Sequence, residues 1–273
     1  MSASPGHDVR EPDDPSRLDL GDVLAVFAHP DDEAYGAAGV LALSVDRGRR
    51  VVCVTATRGE QGFPEDDPRP PAERAAIRTR ELADCLAVLG VTEHRWWDYP
   101  DGGCGDVPDD EPADRVLAVL RDVRPDTVLT FAPDGGTGHP DHRAACRWTT
   151  LAMDRLIAAE PDGPIPRLLY TTKTARWQDD RAQVLDPATV MMVADLRPET
   201  TPEGELAVWL RCTGELLDRK VAALSAQTSQ VGPLLDLVGV DGYRSFVADE
   251  FFRERRPADD ELIARARSWI ARR

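Results

Sequence analysis

The sequence has no CxxC pair, and no apolar run approaches the roughly 20 residues that cross a bilayer. Its five cysteines, Cys53, Cys85, Cys104, Cys146 and Cys212, are scattered. That pattern excludes a disulfide framework and a thiolate zinc knot, and predicts reduced thiols in a cytoplasmic protein. Cys53 and Cys85 fall in apolar segments and read as small buried hydrophobes. The first 20 residues hold no apolar stretch of the kind a secretory signal needs. Rich in Pro, Asp and Ser, they read as a flexible tail ahead of a single domain spanning 21–273. Positive charge is also short. The 33 Lys and Arg face 49 Asp and Glu, for a net charge of −16. Such a field repels nucleic-acid backbones and anionic membranes. Small molecules and metal cations stay compatible with it, and so does a homo-oligomer.

What is present is ordinary globular chain, 42% apolar and 30% charged over 273 residues. Residues 22–28 are apolar after Asp22, like a strand buried on both faces of a parallel sheet. A helix follows from about 33 to 46, with Gly48 as its stop. A second strand is expected at 50–56, then a polar, Pro-rich loop, then a helix over 73–89 closed by Gly90. A strand at 93–98, a Gly/Asp-rich loop, a helix at 112–123 and a strand at 126–131 come next. Later strands are expected at 168–172 and 190–194. A long helix is expected at 203–227, and a terminal one from about 259. Strands alternating with helices predict a Rossmann-like α/β fold. Its sheet is doubly wound and mostly parallel, with helices on both faces and a C-terminal helical extension.

In such sheets ligands bind beyond the carboxyl ends of the strands, where strand order reverses. With an order of 3-2-1-4-5, strands 1 and 4 are neighbours. The loop after strand 1 carries His29-Pro-Asp31-Asp32-Glu33, and the loop after strand 4 carries Gly138-His139-Pro-Asp141-His142. Three of the five histidines therefore fall on two loops at one sheet edge. Hydrolytic metal sites use three N/O ligands and leave one position open. His29 and Asp32 can supply two, and a histidine of the second loop the third. A His/Asp/His set suits Zn²⁺ among divalent ions. The remaining carboxylates and histidine are candidates for proton transfer. Taken singly, each loop also reads as ordinary turn chemistry, with Asp-Asp-Glu favouring a helix N-terminus. Other constellations are weaker. Gly102, Gly103 and Gly105 lack the Lys-Ser/Thr of a phosphate loop. His-Pro-Asp-Asp stands where a dinucleotide-binding domain carries GxGxxG, which counts against a non-catalytic binding domain. The six tryptophans suit sugar stacking or, more commonly, core packing.

Ala28-His-Pro-Asp-Asp-Glu33, with Gly138-His-Pro-Asp-His142 much later, resembles the PIG-L/LmbE family of zinc-dependent N-acetylglucosaminyl deacetylases. Thr57-Arg-Gly-Glu-Gln-Gly62, Arg78-Thr-Arg-Glu-Leu82 and Tyr99-Pro-Asp-Gly102 extend the likeness, which covers about 23–142. The resemblance implies one Zn²⁺ per chain on His29, Asp32 and His142. It implies Asp31 as general base and His139 as oxyanion stabiliser or acid, oriented by Asp141. Arg78, and with it Glu60 and Asp101, would face the substrate. The implied reaction releases an N-acyl group, most often acetyl, from an amino sugar or its glycoside. A larger amide such as a thiol conjugate is the alternative. Two positions depart from the pattern. Mycothiol-pathway members carry a tyrosine where Thr137 stands, and many members carry a histidine at Gln227.

Overall fold

The computed structural model describes residues 10–182 and 199–270. Its elements begin with β1 (Val23–Phe27), α1 (Asp32–Asp46), β2 (Val51–Thr57), α2 (Pro71–Leu89) and β3 (Glu93–Tyr99). There follow α3 (Asp110–Val123), β4 (Thr127–Phe131), α4 (Pro140–Ala159), β5 (Arg167–Thr172) and α5 (Ala175–Ala182). The chain then forms β6 (Val208–Arg211), α6 (Gly214–Ala226), α7 (Thr228–Val247), β7 (Asp249–Glu254) and α8 (Pro257–Ile270).

The sheet runs β3-β2-β1-β4-β5-β7-β6. Its first five strands are parallel, whereas β7 pairs antiparallel with both β5 and β6. Val-Leu-Ala-Val-Phe of β1 and Thr-Val-Leu-Thr-Phe of β4 are buried at every position. This is the consequence of covering both faces with helices, and it explains their lack of alternation. The reversal of strand order falls between β1 and β4, so their carboxyl ends open a crevice there. Among the described residues no helix is long and apolar enough to cross a membrane.

Four features differ from the sequence expectations. The helix expected at 203–227 is strand β6 followed by α6. Leu206 and Leu210 share a helical spacing by coincidence. Val208 and Leu210 instead point into the core, because β6 pairs with β7. The C-terminal region adds two strands to the sheet and carries the expected terminal helix, α8. Helix α4 has no counterpart among these expectations, although Pro140 at its first position is a start signal. Helix α7 was also missed; it carries Pro233 and is broken at Gly239, where φ is 70° and ψ 166°. The strand expected at 190–194 lies outside the described residues. Finally, residues 10–20 are tied to the body where a loose tail was expected. Asp13 N–H donates to Trp209 O at 2.7 Å, and Leu20 is buried. The free edge of β6 is thereby covered.

A buried ion pair fixes α1, the helix that leads out of the crevice. Lys220 Nζ lies 2.6 Å from Glu250 Oε1 and 3.2 Å from Tyr35 O. Glu250 also accepts the main-chain N–H groups of Gly39 (2.6 Å) and Val40 (3.0 Å). Strand β7 and helix α6 thus grip α1 through its backbone. Removing one member leaves an unpaired buried charge, so Lys220→Met should cost about 3–5 kcal/mol by chemical denaturation. A loss below about 1 kcal/mol would show that the pair is not holding the fold.

Candidate metal centre and active site

Both motif loops leave the same sheet edge, and local bonding sets their shape. Ala28 O accepts the Thr57 main-chain N–H at 2.9 Å and its hydroxyl at 3.1 Å, which pins the loop after β1 to β2. Asp31 then takes φ 106°, outside the comfortable range of any L-residue. Strain of this kind costs about 1–3 kcal/mol and persists only where surrounding contacts enforce it. Across the crevice, Gly135 sits at φ 73°. A Cβ there would meet His142 Cβ at 3.1 Å, so glycine allows the Gly135 carbonyl to reach that ring.

Three donor groups converge between the loops. His29 Nδ1 lies 3.1 Å from His142 Nε2 and 3.5 Å from Asp32 Oδ2. His142 Nε2 lies 3.3 Å from Asp32 Oδ1. A tetrahedral ion with bonds of about 2.0–2.1 Å separates its donors by about 3.3 Å, so the spacing fits a small divalent cation. The far nitrogens are already engaged. His29 Nε2 faces Asp101 Oδ1 at 3.1 Å and Asp141 Oδ2 at 3.3 Å. His142 Nδ1 faces Gly135 O at 2.9 Å. If each far nitrogen carries the hydrogen, both near nitrogens present lone pairs to the same point, which a cation resolves. Phe131 stacks on the His142 ring at 4.0 Å and 6°, fixing its plane.

Two further sets share His29: His29 with His139 and His142, and His29 with Asp101 and Asp141. The carboxylates of the latter are occupied from behind. Asp141 accepts the main-chain N–H groups of Gly102 (2.8 Å) and Cys104 (3.0 Å), and Asp101 that of Gln61 (2.7 Å). Asp141 is also fully buried, whereas His29, Asp32 and His142 keep some exposure. An open position for water favours the more accessible set.

Burial by itself lowers the His29 pKa, but its bonds to Asp101, Asp141 and Asp32 outweigh this and hold it well above 6.5. Burial brings His142 down to about 4, despite Asp32, leaving the neutral ring that ligation needs. Burial would raise Asp32, yet His142 and His29 hold it well below the carboxylate range. Asp31 is different: burial, opposed by Arg78 and reinforced by Asp32, pushes it up to about 7.

Matches to known proteins follow the same residues. The family model for GlcNAc-PI de-N-acetylase, PIG-L, matches residues 24–153. A 1D-myo-inositol 2-acetamido-2-deoxy-alpha-D-glucopyranoside deacetylase of Kineococcus radiotolerans is 33% identical over 78% of this chain and 70% of its own. The chain belongs to the PIG-L family. A probable N-acetyl-alpha-D-glucosaminyl L-malate deacetylase of Bacillus cereus is 30% identical over 78% of this chain and 86% of its own. Among solved structures, the N,N'-diacetylchitobiose deacetylase of Pyrococcus horikoshii shares the fold. Its TM-score is 0.57 at 23% identity, over 86% of this chain and 83% of that one.

Within this PIG-L chain, the other motif residues surround the same centre. His139 is near the centre, its ring 4.6 Å from His29 and 5.1 Å from His142, centroid to centroid. The Asp141 carboxylate does not orient it, because that carboxylate is turned to His29. Only the Asp141 main-chain N–H meets His139 Nδ1, at 3.1 Å. Burial, then His29, accordingly lowers the His139 pKa, against the pull of Asp141. Arg78 is 2% exposed and turned inward. It donates to Gly59 O at 3.3 Å, to Pro30 O and to Asp31 Oδ2 at 3.2 Å. It braces the strained loop. Asp101 stands behind His29, its Oδ1 3.1 Å from Nε2. Glu60 Oε1 accepts the Asp101 N–H at 3.0 Å, while its buried Oε2 has no partner among the described residues.

Glu33 is the residue sequence reasoning undervalued. It reads as a favourable charge at a helix start, yet it is 1% exposed. Burial and the neighbouring Asp31 push its pKa up to about 8. Gln227 is also buried and faces Glu33. Thr137 Oγ1 lies 3.4 Å from His142 Nδ1. All five cysteines are free and buried, and burial raises the Cys104 thiol far above its usual value. Cys104 serves Asp141 through its main chain, so Cys104→Ala should keep kcat within about a few-fold. Inactivation by thiol alkylation that substrate blocks would contradict this.

Proposed function

We propose that this PIG-L chain is a zinc-dependent hydrolase that removes an N-acetyl group from an amino-sugar glycoside. The observation that carries the proposal is the convergence of His29 Nδ1, Asp32 and His142 Nε2 at 3.1–3.5 Å, with both outer ring nitrogens already bonded. The chemistry supplied by Zn²⁺ at these donors is polarisation of the amide carbonyl and acidification of water. Everything else falls to side chains. Asp31, on the loop that carries His29 and Asp32 and held by Arg78 at 3.2 Å, takes the proton of the attacking water. His139 accepts at Nδ1, so its Nε2 carries the hydrogen, and the neutral ring donates to the developing oxyanion. The proton held by Asp31 returns to the departing nitrogen. Water and amide thus give acetate and a free amine. Glu60 Oε2, a buried acceptor without a partner among the described residues, supports a role for Glu60 in receiving a sugar hydroxyl. The relatives' names attach different groups to the amino sugar, inositol in one and malate in another, so the partner sugar or acid is open to variation. The test is a screen of N-acetylated amino-sugar glycosides for release of acetate and a primary amine, on protein whose zinc content is measured. Release of neither from any glycoside by zinc-replete protein would refute the proposal.

A further inference from the structure

Asp31 cannot aim its own carboxylate. Its φ of 106° is a conformation that an aspartate leaves unless held. Arg78 holds the side-chain end, at 3.2 Å from Oδ2. The main-chain end is held by Glu33: its Oε2 accepts the Asp31 N–H at 3.2 Å. The other Glu33 oxygen is anchored in turn. Oε1 accepts from Gln227 Nε2 at 3.4 Å and from Cys85 Sγ at 3.4 Å. Gln227 joins α6 to α7, and Cys85 lies on α2. The carboxyl group of Glu33 therefore links the strained residue to three helices of the body. An ordinary capping box also turns a glutamate back on the helix N-cap, but that N-cap is extended and the glutamate stands three positions on. Here the N-cap is left-handed and the glutamate stands two positions on, within the core.

We propose that Glu33, backed by Gln227, is a positioning residue that fixes the backbone of Asp31 so that its carboxylate is aimed as the base. The proposal rests on the reading of Asp31 above. It assigns Glu33 no contact with substrate or metal. Glu33 acts on the reaction only through Asp31, so its loss should appear in kcat and not in KM or zinc content. Displacement of a reacting group by about 1 Å costs about 10²-fold, so Glu33→Leu should lower kcat by about 10–100-fold. Glu33→Gln keeps an oxygen for the Asp31 N–H and turns its new NH₂ toward Gln227, whose Oε1 has no partner among the described residues. That variant should stay within about threefold of the parent.

The deciding experiment is a cycle on zinc-assayed protein: Asp31→Asn, Glu33→Leu and the double variant, with Glu33→Gln beside them. If Glu33 works through Asp31, adding Glu33→Leu to Asp31→Asn should cost nothing more. A further loss of the same size as in the single variant would overturn the proposal, as would zinc lost in step with activity. Normal kcat in Glu33→Leu beside a crippled Asp31→Asn would overturn the positioning role alone. Full activity in Asp31→Asn would overturn the base reading and this proposal with it. If Glu33→Leu does not fold, Gln227→Leu decides the matter. It removes one anchor, and should lower kcat several-fold at constant KM, only while Asp31 is present; an unchanged kcat would overturn the proposal.

Discussion

Asp31→Asn should lose about 10²–10⁴-fold in kcat, the usual scale of general-base catalysis, while retaining its metal. The asparagine keeps the size and the hydrogen bond from Arg78, and His29, Asp32 and His142 are untouched. What disappears is the capacity to take a proton. The pH profile carries the same information. A base works only when deprotonated, so activity should rise with pH through the Asp31 pKa and level off above it. Burial raises that value to about 7, and Arg78 opposes the rise. A divalent ion beside the carboxylate favours the charged form, so the acid limb in metal-replete protein should lie below about 7. In Asp31→Asn that limb should vanish. Near-normal kcat in the metal-replete variant, or an unaltered acid limb, would show that another group is the base.

His142→Ala should lose both metal and activity. It removes one of three donors, and the two left, His29 Nδ1 and Asp32, no longer surround the ion. Asp101→Asn supplies the calibration. It leaves every donor in place and weakens only the bond behind His29 Nε2, at 3.1 Å. Loss of such an orienting partner costs metal affinity about 10–100-fold. Elemental analysis after dialysis should therefore find His142→Ala empty and Asp101→Asn intermediate. Full occupancy in His142→Ala would remove His142 from the ligand set and bring His139 forward in its place.

The order of the first seven elements, β1 through β4, is legible in the sequence because each is specified by its own residues. A continuous apolar run makes a strand buried on both faces, and a 3.6-residue apolar spacing closed by Gly90 makes α2. The two histidine motifs are legible for the same reason, since each sits in a few consecutive positions. Strand β6 is not: four residues inside an apolar spacing that also suits a helix become a strand only because β7 lies alongside. Its identity is set by residues distant in the chain, which no local pattern reports.

The same division runs through the site. The residue types, the two loops and their common sheet edge are properties of the sequence, because strand and helix periodicity dictates that both loops emerge beyond β1 and β4. Which nitrogen of His29 faces inward was decided by Asp101 and Asp141, which arrive from the loop after β3 and from α4. That Arg78 turns inward to brace Asp31, and that Glu33 is a buried tether instead of a solvated helix-start charge, depends on depth below the surface. Depth and the direction of a side chain come from packing among segments far apart in sequence. A motif names the groups that do the chemistry; only the folded chain sets their distances, their solvent and their protons.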